Sequence, residues 1–196
     1  MGQILPLEDA IKVLEMSPSR KFILMHCACR RYFGHKDFAS CLFFEPVIER
    51  ALRERPWEKD SKILTKAKAI ELEKEMDRKG LTHSLWDAGV TREGKPPIVM
   101  CHCLETDCMP TRLRAHYGVI NGQRKSEYVA VVDTEKCRAG CKSKPNCMHR
   151  CPFGAMRYSP LQQVLSINVS KCFGCGLCRP SCPTGAIGLV DRLSFP

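Results

Sequence analysis

The sequence has no long hydrophobic run. Its longest apolar stretches, around "KFILMHCAC" at 21–29 and "PPIVMCHCL" at 96–104, are too short to cross a bilayer. The first residues, "MGQILPLEDAIKVLEM", lack the basic, apolar and small-residue order of a signal peptide. We therefore expect no membrane insertion and a cytoplasmic location, where clustered cysteines indicate bound metal and not disulfides.

Several signatures of enzymes are also missing. The chain contains neither the G-x-G-x-x-G turn of dinucleotide-binding folds nor a P-loop, and no carboxylates are paired for acid–base chemistry. Cys137, Cys141 and Cys147 lack the C-x3-C-x2-C spacing of radical enzymes that use S-adenosylmethionine, because their second gap is too long. Catalysis is therefore the less favoured interpretation. It is kept as an alternative in which a metal centre in the N-terminal half acts on a substrate.

Acidic residues are in the minority. The 196 residues include 31 Lys and Arg against 21 Asp and Glu, which gives a formal net charge of +10. Such a charge is compatible with nucleic-acid binding. The basic residues are, however, spread along the chain and mixed with acidic ones in several places, which is typical of a solvated surface. We expect no nucleic-acid partner.

Cysteine is abundant, with 14 residues in the chain. Four lie in "KCFGCGLCRPSCPTGAIGLV" at 171–190, with the spacing C-x2-C-x2-C-x3-C-P. Sulfurs this close together on one short loop can converge on an object larger than a disulfide, and a cubane iron–sulfur cluster is such an object. The segment "CRAGCKSKPNCMHRCP" at 137–152 repeats the pattern with longer gaps. A zinc-stabilised nucleic-acid module is the alternative, and the cubane spacing argues against it.

The two cysteine runs belong to an internal repeat. "YVAVVDTEKC" ahead of Cys137 corresponds to "VLSINVSKC" ahead of Cys172. "CPFGAM" at 151–156 corresponds to "CPTGAI" at 182–187. Because each copy is too small to bury a hydrophobic face alone, the repeat predicts one module with pseudo-twofold symmetry.

Residues 128–190 resemble a bacterial-type ferredoxin domain with two [4Fe-4S] clusters. The second run has the family spacing, whereas the first has longer gaps. In that family the fourth cysteine of each run binds the cluster of the other run. The resemblance implies Cys137, Cys141, Cys147 and Cys182 for cluster I, and Cys172, Cys175, Cys178 and Cys151 for cluster II. It also implies an anaerobic setting and a larger redox protein, such as a flavoprotein or another oxidoreductase, as partner.

The remaining cysteines lie before the repeat. They are Cys27, Cys29, Cys41, Cys101, Cys103 and Cys108. Both C-x-C pairs come at the ends of predicted strands, so the fold can bring them to one face. We therefore predict a third iron–sulfur cluster, with ligands from Cys27 or Cys29, Cys41, Cys101 and Cys103. Buried structural thiols, a structural zinc or a different metal centre are the alternatives. The motif order over residues 20–108 also resembles, more loosely, ferredoxin-like redox proteins of anaerobes.

Helical and strand patterns alternate in this N-terminal part. Apolar periodicity predicts helices at 6–16, 46–55 and 61–80, and Gly80 ends the last of them. A turn signal near Gly122 marks the domain boundary. The predicted fold class is α+β. It comprises an N-terminal α/β domain at 1–122 and a ferredoxin-like pseudo-twofold dicluster module of short β-hairpins and short helices at 123–196.

Together these features predict an iron–sulfur electron-transfer protein that relays single electrons to or from a larger oxidoreductase. It would carry at least two [4Fe-4S] clusters. A cluster in its 2+ state with four thiolates carries about −2, so three clusters would lower the net charge from +10 to about +4. The remaining positive charge suits docking to an acidic redox partner.

Overall fold

The computed structural model describes residues 2–35, 39–87, 98–119, 122–140 and 146–194. The chain divides into two compact units, Met1–Arg124 and Lys125–Pro196. Both units combine strands with helices, and the predicted α+β fold class is confirmed. Among the helices of these ranges, none combines the length and the apolar composition needed to cross a bilayer.

The N-terminal unit is organised around one mixed sheet. Its strands are β1 (Gly2–Leu5), β2 (Lys21–His26), β3 (Ala39–Phe44), β4 (Lys62–Thr65), β5 (Thr82–Asp87), β6 (Ile98–Cys103) and β7 (Gln123–Arg124). They lie in the order β4-β2-β3-β6-β5-β1-β7, and all neighbours are antiparallel except β1 and β7. The cysteine-bearing strands β3 and β6 are therefore direct neighbours, although they are far apart in the sequence.

Helices contribute to the core on both faces of this sheet. They are α1 (Leu7–Met16), α2 (Ala28–Tyr32), α3 (Val47–Glu54), α4 (Lys66–Lys79) and α5 (Met109–Tyr117). On one face, α1 and α4 bury Leu14 and Met76 in a core with Met100 of β6. On the opposite face, α3 buries Val47 against Phe43 of β3. Since side chains alternate along a strand, each strand contributes to both cores.

The predicted helix at 61–80 is wrong in its first part. Lys62–Thr65 forms β4, which pairs with β2 at the edge of the sheet. The helix α4 begins only at Lys66, because Thr65 caps it by accepting the N–H of Lys68 at 3.4 Å. Pairing with β2 outweighs the helical periodicity of this segment. The C-terminal end of α4 is as predicted, since Gly80 ends the helix with a φ of 83°.

The C-terminal unit is built from two antiparallel strand pairs. Its elements are β8 (Tyr128–Val132), α6 (Thr134–Gly140), a 3₁₀ helix (Asn146–Arg150), β9 (Met156–Ser159), β10 (Val164–Ile167) and β11 (Ile187–Asp191). β8 pairs with β11, and β10 pairs with β9. The strand before each cysteine run thus pairs with the strand after the other run. This exchange is the pseudo-twofold arrangement expected from the sequence repeat.

Candidate iron–sulfur centres

The loop between β10 and β11 holds three buried cysteines. They are Cys172, Cys175 and Cys178. Gly174 and Gly176, which separate them, adopt φ angles of 69° and 79°, in the left-handed region that favours glycine. A Cβ on Gly174 would lie 2.1 Å from Ser126 Oγ and 2.2 Å from the carbonyl oxygen of Tyr128. The close approach of this loop to the start of β8 and the residues just before it therefore requires glycine.

A cysteine of the first run lines the same small cavity as this loop. The cysteines around it are Cys151, Cys172, Cys175 and Cys178. Phe153 and Phe173 also line the cavity, and their rings stack with centroids 4.1 Å apart. The structure thus brings together the four residues predicted for cluster II, including the one contributed by the other run.

Backbone N–H groups donate to cysteine sulfurs in both halves of the unit. The N–H of Ala155 donates to Cys151 Sγ at 3.3 Å, and the N–H of Ala186 donates to Cys182 Sγ at 3.2 Å. These two hydrogen bonds occupy equivalent positions in "CPFGAM" and "CPTGAI". Such hydrogen bonds stabilise negative charge on sulfur and tune the potential of a bound cluster.

The buried thiols of this loop favour the protonated form in the absence of a cation. Burial, together with the sulfurs of Cys151 and Cys172, raises the pKa of the Cys178 thiol to about 12. Burial also raises the pKa of Cys175. Several thiolates can share such a low-dielectric region only when a cation compensates their charge, and iron prefers these soft ligands. The residues therefore fit an iron–sulfur cluster.

Three of the four cysteines predicted for cluster I are described. Cys137 of α6 and Cys147 of the 3₁₀ helix are buried, and Cys182 packs with them in the hydrophobic core of the unit. Burial opposes ionisation of Cys182, but the hydroxyl of Thr184 and nearby backbone N–H groups outweigh it and lower the pKa of this thiol. Cys141, the fourth predicted ligand, lies outside the described residues.

In the N-terminal unit, the cysteines of both C-x-C pairs and two others line one cavity of about 310 Å³. They are Cys27, Cys29, Cys41, Cys101, Cys103 and Cys108. All five residues predicted for a third centre are therefore brought together, and Cys108 joins them. We call this the cysteine cavity.

The sheet explains this convergence. Cys101 and Cys103 project from the same face of β6, because alternate residues of a strand share a face. Cys41 is the direct cross-strand partner of Cys101, and their sulfur atoms are 4.0 Å apart. Cys27 follows the end of β2 as the N-cap residue of α2, and Cys108 is the N-cap residue of α5.

The walls of the cysteine cavity are mostly apolar. Phe43, Trp86 and Val99 line it, and Arg30 and Asp107 line it as well. The guanidinium of Arg30 and the carboxylate of Asp107 form an ion pair at 3.0 Å. The indole N–H of Trp86 is buried and has no hydrogen-bond partner among the described residues. A buried donor beside a group of thiols fits a bound centre whose sulfurs accept hydrogen bonds.

The thiols in this cavity differ in acidity. A hydrogen bond from the Cys29 thiol, with a second from Cys41, lowers the pKa of Cys27. The same contact with Cys27 raises the pKa of Cys29. A hydrogen bond from Cys103, reinforced by Thr111, lowers the pKa of Cys108 to about 7. Cys27 also contacts Cys41, which in turn contacts Cys101, so it is the member of its C-x-C pair that continues this group of neighbouring sulfurs.

Sequence reasoning did not include Cys108 in the predicted ligand set. The signal that could have found it is its position just before helix α5, with Pro110 in the first turn of that helix. A helix N-terminus lowers the pKa of a thiol, and the contact of Cys108 with Cys103 places it directly beside the predicted ligands. His102, by contrast, points away from Cys101 and Cys103 as expected from strand alternation, and it lies in the core beside α4.

Comparison with known proteins identifies the class of the C-terminal unit. Residues 135–187 match the family described as "4Fe-4S dicluster domain". The chain is 35% identical over 49 residues to the uncharacterized ferredoxin-like protein YdhY of Escherichia coli. The aligned segment covers 25% of this chain and 23% of that protein. It is 31% identical over 68 residues to the translation initiation factor rli1 of Schizosaccharomyces pombe, covering 32% of this chain and 11% of that factor.

These similarities are local. Protein Pixie of Drosophila melanogaster is 28% identical over 72 residues, or 34% of this chain and 12% of its own length. The chain thus spans less than a quarter of the length of these curated relatives. Residues 135–187 thus match a 4Fe-4S dicluster domain, and this match together with the ferredoxin-like relative supports iron–sulfur electron transfer.

Proposed function

We propose that the chain relays single electrons through two [4Fe-4S] clusters in its C-terminal unit. Cluster I is ligated by Cys137, Cys141, Cys147 and Cys182, and cluster II by Cys172, Cys175, Cys178 and Cys151. The observation that carries this proposal is the common cavity of Cys151 and the second cysteine loop. It supports the ligand exchange between the two runs that is typical of two-cluster ferredoxins.

The proposal extends to a third iron–sulfur centre in the cysteine cavity. Its ligands are Cys27, Cys41, Cys101 and Cys103. The contact between the Cys41 and Cys101 sulfurs supports this set, as does the volume of about 310 Å³ enclosed by thiols and apolar side chains. With four thiolates bound to iron, Cys29 and Cys108 remain as neighbours that hydrogen-bond to ligating sulfurs.

The partner we propose is a larger oxidoreductase with an acidic docking surface. After three clusters are bound, the chain retains a net charge of about +4, from a formal +10. Opposite charges on the two proteins would accelerate their encounter, an effect that weakens as salt is added. No nucleic-acid partner is proposed, because the basic residues are mixed with acidic ones along the chain.

The proposal is tested with protein isolated and reconstituted without oxygen. We expect a brown protein whose visible absorbance bleaches on reduction with dithionite and returns when, after removal of excess dithionite, a stoichiometric one-electron oxidant such as ferricyanide is added. Each reduced cluster should return one electron. A colourless protein that holds zinc, or a brown one that does not exchange electrons, would contradict the proposal.

A further inference from the structure

Three polar side chains meet in the apolar core on the sheet face opposite the cysteine cavity. They are Glu73 of α4, His83 of β5 and His102 of β6, and all are fully buried or nearly so. One donor atom from each lies within 4.8 Å of the other two. We call this group the Glu–His–His cluster. The side chains of all three residues are fully shielded from water.

The sheet holds the two imidazoles side by side. His83 and His102 are direct cross-strand partners, and their rings meet edge to face with centroids 5.6 Å apart. Glu73 approaches both rings with the same oxygen. Its Oε2 lies 2.7 Å from Nδ1 of His83 and 2.9 Å from Nε2 of His102. One carboxylate oxygen thus faces two ring nitrogens at once.

The outer nitrogen of each ring faces an acceptor. Nδ1 of His102 is 3.0 Å from the carbonyl oxygen of Ser40, and Nε2 of His83 is 3.8 Å from Oδ1 of Asp77. If these outer nitrogens carry the protons, both inner nitrogens present lone pairs toward Glu73. A carboxylate oxygen and two lone pairs repel each other unless a cation lies between them.

The positive charge between these groups can come from two sources, extra protons on the imidazoles or a metal ion. A divalent ion with two neutral imidazoles, Glu73 and Asp77 is electrically neutral, as are two imidazoliums with the same two carboxylates. Two features favour the metal. Among the described residues, Glu73 Oε1 has no hydrogen-bond partner, and Nδ1 of His83 does not meet hydrogen-bond geometry although it lies 2.7 Å from Glu73 Oε2. Metal-bound histidines also commonly donate their second ring N–H to a carboxylate or carbonyl oxygen, and Nδ1 of His102 lies 3.0 Å from the carbonyl oxygen of Ser40.

We propose that Glu73, His83 and His102 bind a zinc ion in the core of the N-terminal unit. Two imidazoles and a carboxylate are a zinc donor set that leaves a fourth position, and Glu73 Oε1, which has no hydrogen-bond partner among the described residues, can occupy it. Zinc–ligand bonds of about 2.0 Å would move the three donor atoms apart to about 3.3 Å from one another. The ion would fix α4 to β5 and β6, directly behind Cys101 and Cys103.

The test measures zinc in the full-length protein with its iron–sulfur centres intact. Protein isolated without oxygen from zinc-supplemented cells, then treated with a chelator to remove surface ions, should retain about one zinc per chain. Zinc X-ray absorption should show only nitrogen and oxygen neighbours at about 2.0 Å, with none of the sulfur at about 2.3 Å that a cysteine site would give. This measurement uses the unaltered chain.

Variants locate the ion. Glu73→Gln and His83→Gln should lower the zinc content at least tenfold and leave iron and acid-labile sulfide unchanged. His116→Gln, an exposed histidine of the same unit, should retain zinc as the matched control. Zinc with sulfur neighbours, zinc retained in both core variants, or no zinc in the unaltered protein would each overturn the proposal. The spectrum of the unaltered protein decides the question even if the variants fail to fold.

Discussion

The sulfur atoms of Cys41 and Cys101 lie 4.0 Å apart across two neighbouring strands. The two residues are unpaired thiols, not a disulfide. Their contact places a sulfur pair in the wall of the cysteine cavity, close to Cys27 and Cys103. This contact on a rigid sheet supports the third centre that we propose for the cavity.

The cysteine cavity predicts that the two cysteines of the first C-x-C pair are not equivalent. Cys27→Ser should lower the iron content by about four atoms per chain, because it removes a ligand of the proposed third centre. Cys29→Ser should retain the iron, since it is Cys27 that contacts Cys41 next to Cys101, whereas Cys29 contacts Cys27. Iron analysis of protein isolated without oxygen measures both. Equal iron loss in the two variants would contradict the assignment.

The exchange of ligands between the cysteine runs predicts which cluster each distal cysteine holds. Cys151→Ser should abolish the EPR signal of cluster II, whose other ligands lie in the second run, and Cys182→Ser should abolish that of cluster I. The reason is that Cys151 lines the cavity of Cys172, Cys175 and Cys178.

The two clusters are told apart by a second pair of substitutions. Cys175→Ser alters cluster II, and its EPR change should match that of Cys151→Ser. Cys137→Ser alters cluster I and should match Cys182→Ser. If Cys151→Ser instead reproduces the spectrum of Cys137→Ser, each run ligates its own cluster and the proposed exchange is wrong.

Gly174 is predicted to be far more sensitive to substitution than Gly185. Both have positive φ, 69° and 63°, so alanine costs each about 1–2 kcal/mol of backbone strain. At Gly174 the new Cβ would also meet Ser126 Oγ at 2.1 Å, whereas nothing lies within 4 Å at Gly185. We therefore expect a total of about 3 kcal/mol or more for Gly174→Ala. The rate at which the absorbance of cluster II bleaches in guanidinium compares Gly174→Ala with Gly185→Ala. Similar rates in the two variants would argue against this loop geometry.

Arg192 ties the end of the C-terminal unit to the second cysteine loop. Its guanidinium donates to the carbonyl oxygens of Ser126 and Cys172, each at 3.1 Å, and to that of Tyr128. Arg192→Lys keeps the charge but cannot make these bonds together, and hydrogen bonds from charged groups contribute about 1.5–3 kcal/mol. We expect about tenfold faster loss of cluster II in denaturant, monitored by EPR. Arg157→Lys, at an exposed position, is the control and should show no change.

The sequence was sufficient to predict the C-terminal unit because its constraint is local. A cubane cluster needs several thiols within one loop, so the spacing of Cys172, Cys175 and Cys178 alone indicates such a cluster. Alternation along a strand likewise accounts for the orientation of His102 away from Cys101 and Cys103. These inferences need only the period of a strand and the size of a cluster.

The sequence could not show what depends on strand order. Nothing local places β3 beside β6, so the contact of Cys41 with Cys101 emerges only in the folded sheet. The Glu–His–His cluster is similar, since Glu73 is an unremarkable residue of an amphipathic helix until α4 packs over β5 and β6. The β4 segment was predicted as helix because its pairing partner, β2, is not local either.

Iron and acid-labile sulfide, measured together on protein isolated without oxygen, test the central claim that this chain holds iron–sulfur clusters on its cysteines. We predict about twelve iron and twelve sulfide atoms per chain, in three four-iron centres. A content of about eight of each would contradict only the proposed centre in the cysteine cavity. Protein that contains no acid-labile sulfide under these conditions would contradict the account as a whole.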